Sequence, residues 1–314
     1  MLRSGTKTYS DPALFQAALP DRGGVLTLTG PGPFKGRQTR IALKNMILLQ
    51  VEETLPRIAF RVLPADRIHI FFSSSPFFNS IWGGVALRAG DIVVQGFGCG
   101  THDRTTGRSS WGSISIEARA LTAYAKDVAG ILFAAPQTSQ IFRPSRSAGM
   151  PLMQLHRKAC QLAAKKPKTF ANVEVRRTLE NELLDALLNC LVAEDAYANS
   201  ATREKKLAMM AEFETTLQNE ILRPLPVPKI ARLMGVSERT LRVYCDQILG
   251  MGPFQYLQLR RLNLVRAALQ HAQGGSATVQ EVARHYRFKE LGRFAGTYRE
   301  VFGELPSATL RHIQ

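Results

Sequence analysis

The spacing of apolar residues changes twice along the chain. Up to about residue 145, short β-branched or aromatic runs recur at Val25–Thr29, Thr39–Leu43, Met46–Val51, Ile58–Val62, Ile68–Phe72 and Ile92–Gln95, with turn residues between them. Such short, regularly punctuated runs predict a β sandwich or small barrel. Ser115 to Ala135 reads as a strand followed by a helix, and Pro136 to Pro151, rich in Ser, Arg and Pro, reads as a linker. From Pro151 to Leu222 the period becomes helical. Leu152, Leu155, Cys160 and Leu162 line one helix, which Lys165-Lys-Pro-Lys168 stops. Leu179, Leu183, Leu187, Cys190 and Leu191 line another, and Phe213, Leu217 and Ile221 lead into the stiff segment Arg223-Pro-Leu-Pro-Val-Pro228. The Leu179–Leu191 stripe fits either intramolecular core or a self-complementary dimer seam.

From Val227 onward two similar patterns follow one another. Ile230-Ala-Arg-Leu-Met234 stops at Gly235, and Ser237 is placed to cap a second helix. Spacings of three and four put Leu241 with Tyr244 or Cys245 on one face of that helix and leave Glu238, Arg239 and Arg242 on the other. An exposed helix with arginines at i and i+3, braced by a shorter helix, has the chemistry to enter a DNA major groove; an ordinary solvated helical hairpin is the alternative. The pattern returns at Val279–Tyr286, with Arg287 at the turn and a second long helix over Glu290–Val301 that turns Phe294, Tyr298 and Val301 inward. Pro253 to Gln270 predicts one rigid helix joining the two units.

On these residues the sequence resembles the AraC/XylS family of bacterial transcription regulators. The resemblance is carried by Gly235-Val-Ser-Glu-Arg-Thr-Leu241, Leu249-Gly-Met-Gly-Pro253 and Tyr256-Leu-Gln-Leu-Arg-Arg-Leu262. In the second unit it is carried by Phe288, Gly292-Arg-Phe294, Tyr298-Arg299, Phe302-Gly303 and Pro306-Ser307. It implies base reading by Arg239, Arg242 and Arg293, with Gly292 and Gly296 letting the backbone approach the groove. It also implies phosphate contacts from Ser237, Thr240, Arg260, Arg261 and Arg299. The family usually has Gly where this chain has Arg287, so a strained positive φ is expected there. A homodimer on paired DNA sites and, for an activator, contact with RNA polymerase are further implications.

Charge sharpens this picture. Residues 1–150 hold 17 Lys/Arg against 9 Asp/Glu, 151–222 hold 10 against 10, and 223–314 hold 14 against 6, giving +8, 0 and +8. A basic C-terminal region is the footprint of a polyanion binder. The basic N-terminal region needs its own reason. Lys35, Arg37, Gln38 and Arg40 follow one Gly/Pro loop, and Arg104 and Arg108 follow a second Gly-rich stretch. Arginine forks suit phosphates and guanine edges, so an anionic, nucleotide-like effector is expected there; a solvated positive surface helping to hold DNA is the competing reading.

Two further resemblances bear on that region. The turn Arg88-Ala-Gly90-Asp91 before Ile92-Val-Val94 resembles cupin-type jelly rolls. Arg104-x-x-x-Arg108 and Asp91-Ile-Val-Val-Gln-Gly96 resemble the cyclic di-GMP motifs of PilZ-type receptors, with Val93 where Ser is usual and the two motifs in reversed order. Cyclic di-GMP is the named candidate effector.

The expected class is α+β. Its parts are a cupin-like effector-sensing β domain over 1–145, a helical, dimerising region over 146–222, and a DNA-binding domain with two helix-turn-helix units over 223–314. His69 and His102 stand apart with no H-x-H, and Cys99, Cys160, Cys190 and Cys245 form no C-x-x-C pair, so no metal site is expected. No catalytic Ser/His/Asp set or phosphate loop stands out, which disfavours an enzyme. A polar N-terminus and an apolar window, Ile68 to Leu87, broken by Ser, Pro and Gly predict a cytoplasmic protein without a membrane helix. A constitutive architectural DNA binder is the rival class.

Overall fold

The computed structural model describes residues 4–20, 24–64, 66–74, 79–96, 100–130, 132–133, 136, 138–192, 201–219, 225–272 and 277–311. Its strands are β1 (Gly5–Tyr9), β2 (Val25–Leu28), β3 (Gly36–Ala42), β4 (Met46–Glu53), β5 (Arg57–Val62), β6 (Arg67–Ser73), β7 (Ser80–Trp82), β8 (Val85–Ala86), β9 (Ile92–Gln95), β10 (Gly100–Thr105), β11 (Ser109–Glu117) and β12 (Gln140–Phe142). Its helices are α1 (Pro12–Ala17), α2 (Ala118–Ala129), α3 (Arg146–Lys165), α4 (Val173–Val192), α5 (Ala201–Asn219), α6 (Val227–Leu233), α7 (Glu238–Leu249), α8 (Pro253–His271), α9 (Val279–His285), α10 (Leu291–Phe302) and α11 (Pro306–Arg311). The class is α+β, as expected.

The strands form two antiparallel sheets, a seven-stranded one in the order β1-β3-β4-β11-β6-β9-β12 and a five-stranded one in the order β2-β5-β10-β7-β8. Alternation along the strands explains how the larger sheet is sandwiched. Ile41, Leu48, Ile70, Ile92, Val94 and Ile114 face α3 and α4 in one apolar core. Leu49, Val51, Phe71, Val93 and Trp111 face the other way, into a second core with Leu28 and Trp82 of the smaller sheet. Glu180 of α4 is buried and fastens the helix to the β3–β4 turn, accepting from the Lys44 N–H at 2.9 Å and from Asn45 Nδ2 at 2.9 Å.

Between the sheets lies a buried ionic cluster. Arg57 Nε donates to Glu53 at 2.8 Å, its Nη1 donates to Asp103, Arg61 Nε donates to Asp103 at 2.9 Å, and Trp111 Nε1 donates to Glu53 at 2.8 Å. Burial alone would raise the Asp103 carboxyl, but the Arg57 and Arg61 guanidiniums outweigh it and hold it below its ordinary range. This cluster explains why Asp103 and its two arginines can share an interior.

One sequence expectation changes, and one open alternative is decided. The proposed linker Pro136–Pro151 contains β12, which pairs with β9 at the edge of the larger sheet, and the first residues of α3, capped by Ser145. Its Pro and Ser content resembles a loop, but Ile141 is wholly buried and Arg143 is tied to Asp91 at 3.2 Å. The Leu183, Leu187 and Cys190 stripe of α4 is fully buried within the chain's own core, so it is not a dimer seam. Cys99, Ile131, Ile221, Arg223 and Pro224 lie outside the described residues. Among the described residues no cluster of metal-ligating side chains is present and no helix is long and apolar enough to cross a membrane.

Candidate nucleic-acid interface

The two helix-turn-helix units share one backbone turn. In the first, α6 ends with Gly235 at φ 63°, and the Val236 N–H donates to Ala231 O at 3.0 Å. In the second, α9 ends with Arg287 at φ 65°, and the Phe288 N–H donates to Ala283 O at 2.9 Å. Both are helix stops closed by a left-handed residue. Arg287 is the one non-glycine residue with positive φ among the described residues, as its place in the turn predicted.

The second helix of each unit is anchored by the same spacing. Leu241, Cys245 and Leu249 of α7 are buried, and so, 53 positions later, are Phe294, Tyr298 and Phe302 of α10. Burial pushes the Cys245 thiol up to about 12, so it is a core residue and not a reactive one. Ser237 caps α7 through the Thr240 N–H at 3.0 Å, and the two hydroxyls lie 2.8 Å apart. Arg239, Arg242 and Ser237 are exposed, with Thr240 half-buried. On α10, Arg293 and Arg299 are exposed, and space is open around Gly292 and Gly296.

The opposite ends of both helices dock on the β region. Gly250 closes α7 at φ 73° and Gly303 closes α10 at φ 76°. A Cβ on Gly250 would meet Arg104 Cζ at 2.7 Å, and one on Gly303 would meet Pro31 Cβ at 3.1 Å. The Gly32 N–H also donates to Phe302 O at 3.4 Å. Each helix is therefore held by its C-terminal end, and its N-terminal turns, the part that reaches base edges in docked helix-turn-helix units, face outward.

The joining helix α8 carries the rest of this seam. Asn263 pairs with the backbone of edge strand β2 like an extra strand residue, accepting from Leu28 N at 2.9 Å and donating to Leu28 O at 3.1 Å. Glu214 of α5, fully buried, accepts from His102 Nε2 of β10 at 3.0 Å and from Tyr256 Oη, and is ion-paired with Arg260 Nη1 at 2.9 Å. Burial would raise the Glu214 carboxyl, but Arg260, then His102 and Tyr256, keep it below its ordinary range. Arg260 thus departs from its expected phosphate role: it is buried against Glu214. Arg261, on the next face of the helix, is half-buried over the Phe288 ring at 5.0 Å.

The six residues expected to hold an effector do not converge. Gln38 is buried and donates to Phe15 O at 3.1 Å, which occupies it structurally. Lys35 and Arg37 are exposed, Arg37 lying 3.9 Å from Glu52. Arg40 points into the sandwich near Arg67, its Nε buried without a partner, and its pKa is lowered by burial and then by Arg67. Arg104 sits in the other sheet against Gly250, and Arg108 is exposed on the turn after it. The Arg104/Arg108 pair is therefore split between the seam and the solvent. His69 is buried beside Arg67, and burial, then Arg67, pushes it down to about 4.

Sequence reasoning missed Glu214 and Asn263, and gave His102 and Tyr256 no part in this seam. Their partners lie far away in the chain, so no local pattern marks them.

The family description "Helix-turn-helix domain" matches residues 230–312. A "Probable thc operon regulatory protein" of Rhodococcus erythropolis is 38% identical over 97 residues, 31% of this chain and 29% of that protein. "XylDLEGF operon transcriptional activator 2" of Pseudomonas putida is 37% identical over 94 residues, 30% of this chain and 60% of that protein. The chain thus spans less than two thirds of the length of these relatives. Among solved structures, the AraC-like transcriptional activator CuxR shares 17% identity over 89% of this chain and 99% of its own, at a TM-score of 0.41, too low to bear on the fold.

Proposed function

We propose that this chain, a member of the AraC/XylS family by its C-terminal helix-turn-helix domain, is a sequence-specific, DNA-binding transcriptional activator. The supporting observation is the orientation of α7 and α10, whose C-terminal ends are docked while their arginine-bearing N-terminal turns are exposed. Arg239, Arg242 and Arg293 read bases, and Ser237, Thr240, Arg261 and Arg299 contact phosphates. Residues 1–145 sense an effector, 146–222 form a helical region whose helices α3, α4 and α5 cover the sheets, and 223–314 bind DNA in the cytoplasm. A homodimer on paired sites uses a surface other than the α4 stripe, and an activator of this kind also meets RNA polymerase.

The effector reading moves from the six basic residues to the seam. A cavity of about 450 Å³ lies between α1, β2 and α8, lined mainly by apolar atoms and by the buried Arg260 and Arg266. A small molecule with an apolar body and an anionic end, held there, touches both the β region and the joining helix. It then biases DNA binding only by its differential affinity for the two arrangements of that seam. Cyclic di-GMP gains no support from the placement of Arg104 and Arg108.

The test is selection of bound duplexes from a random pool by the full chain, followed by a reporter assay on the selected site. One enriched motif and raised transcription are expected. Uniform recovery of all sequences would make the protein an architectural binder instead.

A further inference from the structure

A cleft of about 230 Å³ opens between the N-terminal half of α8 and the second unit. Its walls include Phe254 and Arg261 of α8, the turn residues Arg287, Phe288 and Lys289, and Arg293 of α10. Four cations line it against one carboxylate, Glu290, a net charge of +3. Arg261 is held above Phe288, and its Nε is buried without a hydrogen-bond partner. Phe254 stays 69% exposed at the rim. The cleft shares Arg293 with the exposed face of α10, so it opens toward whatever that helix meets.

The turn makes Arg287 informative. Its φ of 65° is a conformation that strains most residues with a Cβ, arginine among them, and the matching turn of the first unit meets the same requirement with Gly235. The strained backbone places the Arg287 side chain in the wall of the cleft beside Lys289 and Arg293, where its charge adds to theirs. Burial lowers the pKa of Arg261, so a neighbouring anion would favour its charged form.

We propose that this cleft is a phosphate-binding site for one strand of duplex DNA, with Arg287 as a backbone contact that keeps arginine at a turn favouring glycine. The proposal rests on the DNA-binding reading. It adds a residue that reading did not include. The contact is electrostatic and carries no base information, so its signature is salt dependence without altered sequence preference.

The experiment compares the full-length protein with Arg287→Gly and Arg287→Asn, both of which tolerate positive φ. It uses thermal melting and titration with the selected duplex between 50 and 200 mM salt. Arg287→Gly is expected to melt higher than the parent yet bind several-fold more weakly. The slope of log affinity against log salt should fall by about 1, with base preference unchanged. Arg287→Asn should bind as weakly. Unchanged affinity and slope in both variants, with the parent binding normally, would overturn the cleft while leaving the DNA reading intact. A change in preference at one base position would make Arg287 a reader and equally overturn it. Stabilisation of the parent by millimolar inorganic phosphate, lost in Arg287→Gly without loss of duplex affinity, would assign the cleft to free phosphate. Failure of the parent to bind any duplex would overturn both readings together.

Discussion

The first helix-turn-helix unit presents arginines at the second and fifth positions of its exposed helix, whereas the second presents Gly292 and Ala295 at the matching positions and Gly296 one residue further on. Their buried faces and turns correspond, but their outer surfaces do not. Their seams differ as well. The first unit rests on a charged network around Glu214 and on Arg104; the second rests on Pro31 and a backbone hydrogen bond from Gly32. Similar packing positions thus carry different outer faces: two exposed arginines above a polar seam on one side, and a single one, Arg293, beside open backbone and a basic cleft on the other.

The largest effect should come from breaking the charged seam. Glu214→Ala leaves Arg260 buried without its partner and is expected to cost about 3–5 kcal/mol in urea unfolding. Faster amide exchange should follow in α7 and α8 more than in α10. A loss below about 1 kcal/mol, or equal exchange in both units, would remove the distinction between the seams.

Acid should separate the sheets and their covering helix α3, which carries His156, from the two helix-turn-helix units. Burial holds His69 and His156 near 4, below the ordinary 6.5, so each is neutral in the folded protein. The stability this gives is complete above pH 6.5 and is lost as pH falls from there toward 4, at about 1.4 kcal/mol per pH unit for each histidine. His271 and His285 of the helical units are exposed. Replacing His156 with Gln should flatten the acid limb of the unfolding curve; an unaltered limb would contradict the assignment.

Smaller effects sharpen the comparison between outer faces. Arg239→Ala or Arg242→Ala should weaken specific binding by about 1–3 kcal/mol and relax preference at one base position. Uniform loss over unrelated duplexes would show them to be phosphate contacts. Gly235→Ala meets no atom within 4 Å, so its expected cost of about 1 kcal/mol in stability is purely the left-handed backbone. It is opposite in sign to the change expected for Arg287→Gly.

Much of this was legible in the sequence. The strand runs Met46–Val51 and Ile68–Phe72, which lie within β4 and β6, and the Ser237 cap follow from local patterns, whereas the left-handed Arg287 follows from the resemblance to the AraC/XylS family. Strand β10, Gly-Thr-His-Asp-Arg-Thr, was invisible because both its faces are polar: Asp103 turns in to Arg57 and Arg61, while His102 turns out to Glu214. Burying such residues depends on partners 42 to 112 positions away. The same reason hid the Asn263–Leu28 pairing and misplaced Arg260 among the phosphate contacts.

The most direct test is a base-by-base affinity map of the selected duplex with the full-length protein and its variants. Two blocks of preference about 10 base pairs apart are predicted, one for each exposed helix. Arg239→Ala and Arg242→Ala should each relax preference at a position within one block only, and Arg293→Ala within the other only. A single block, or loss of the same block in all three variants, would contradict paired reading by α7 and α10.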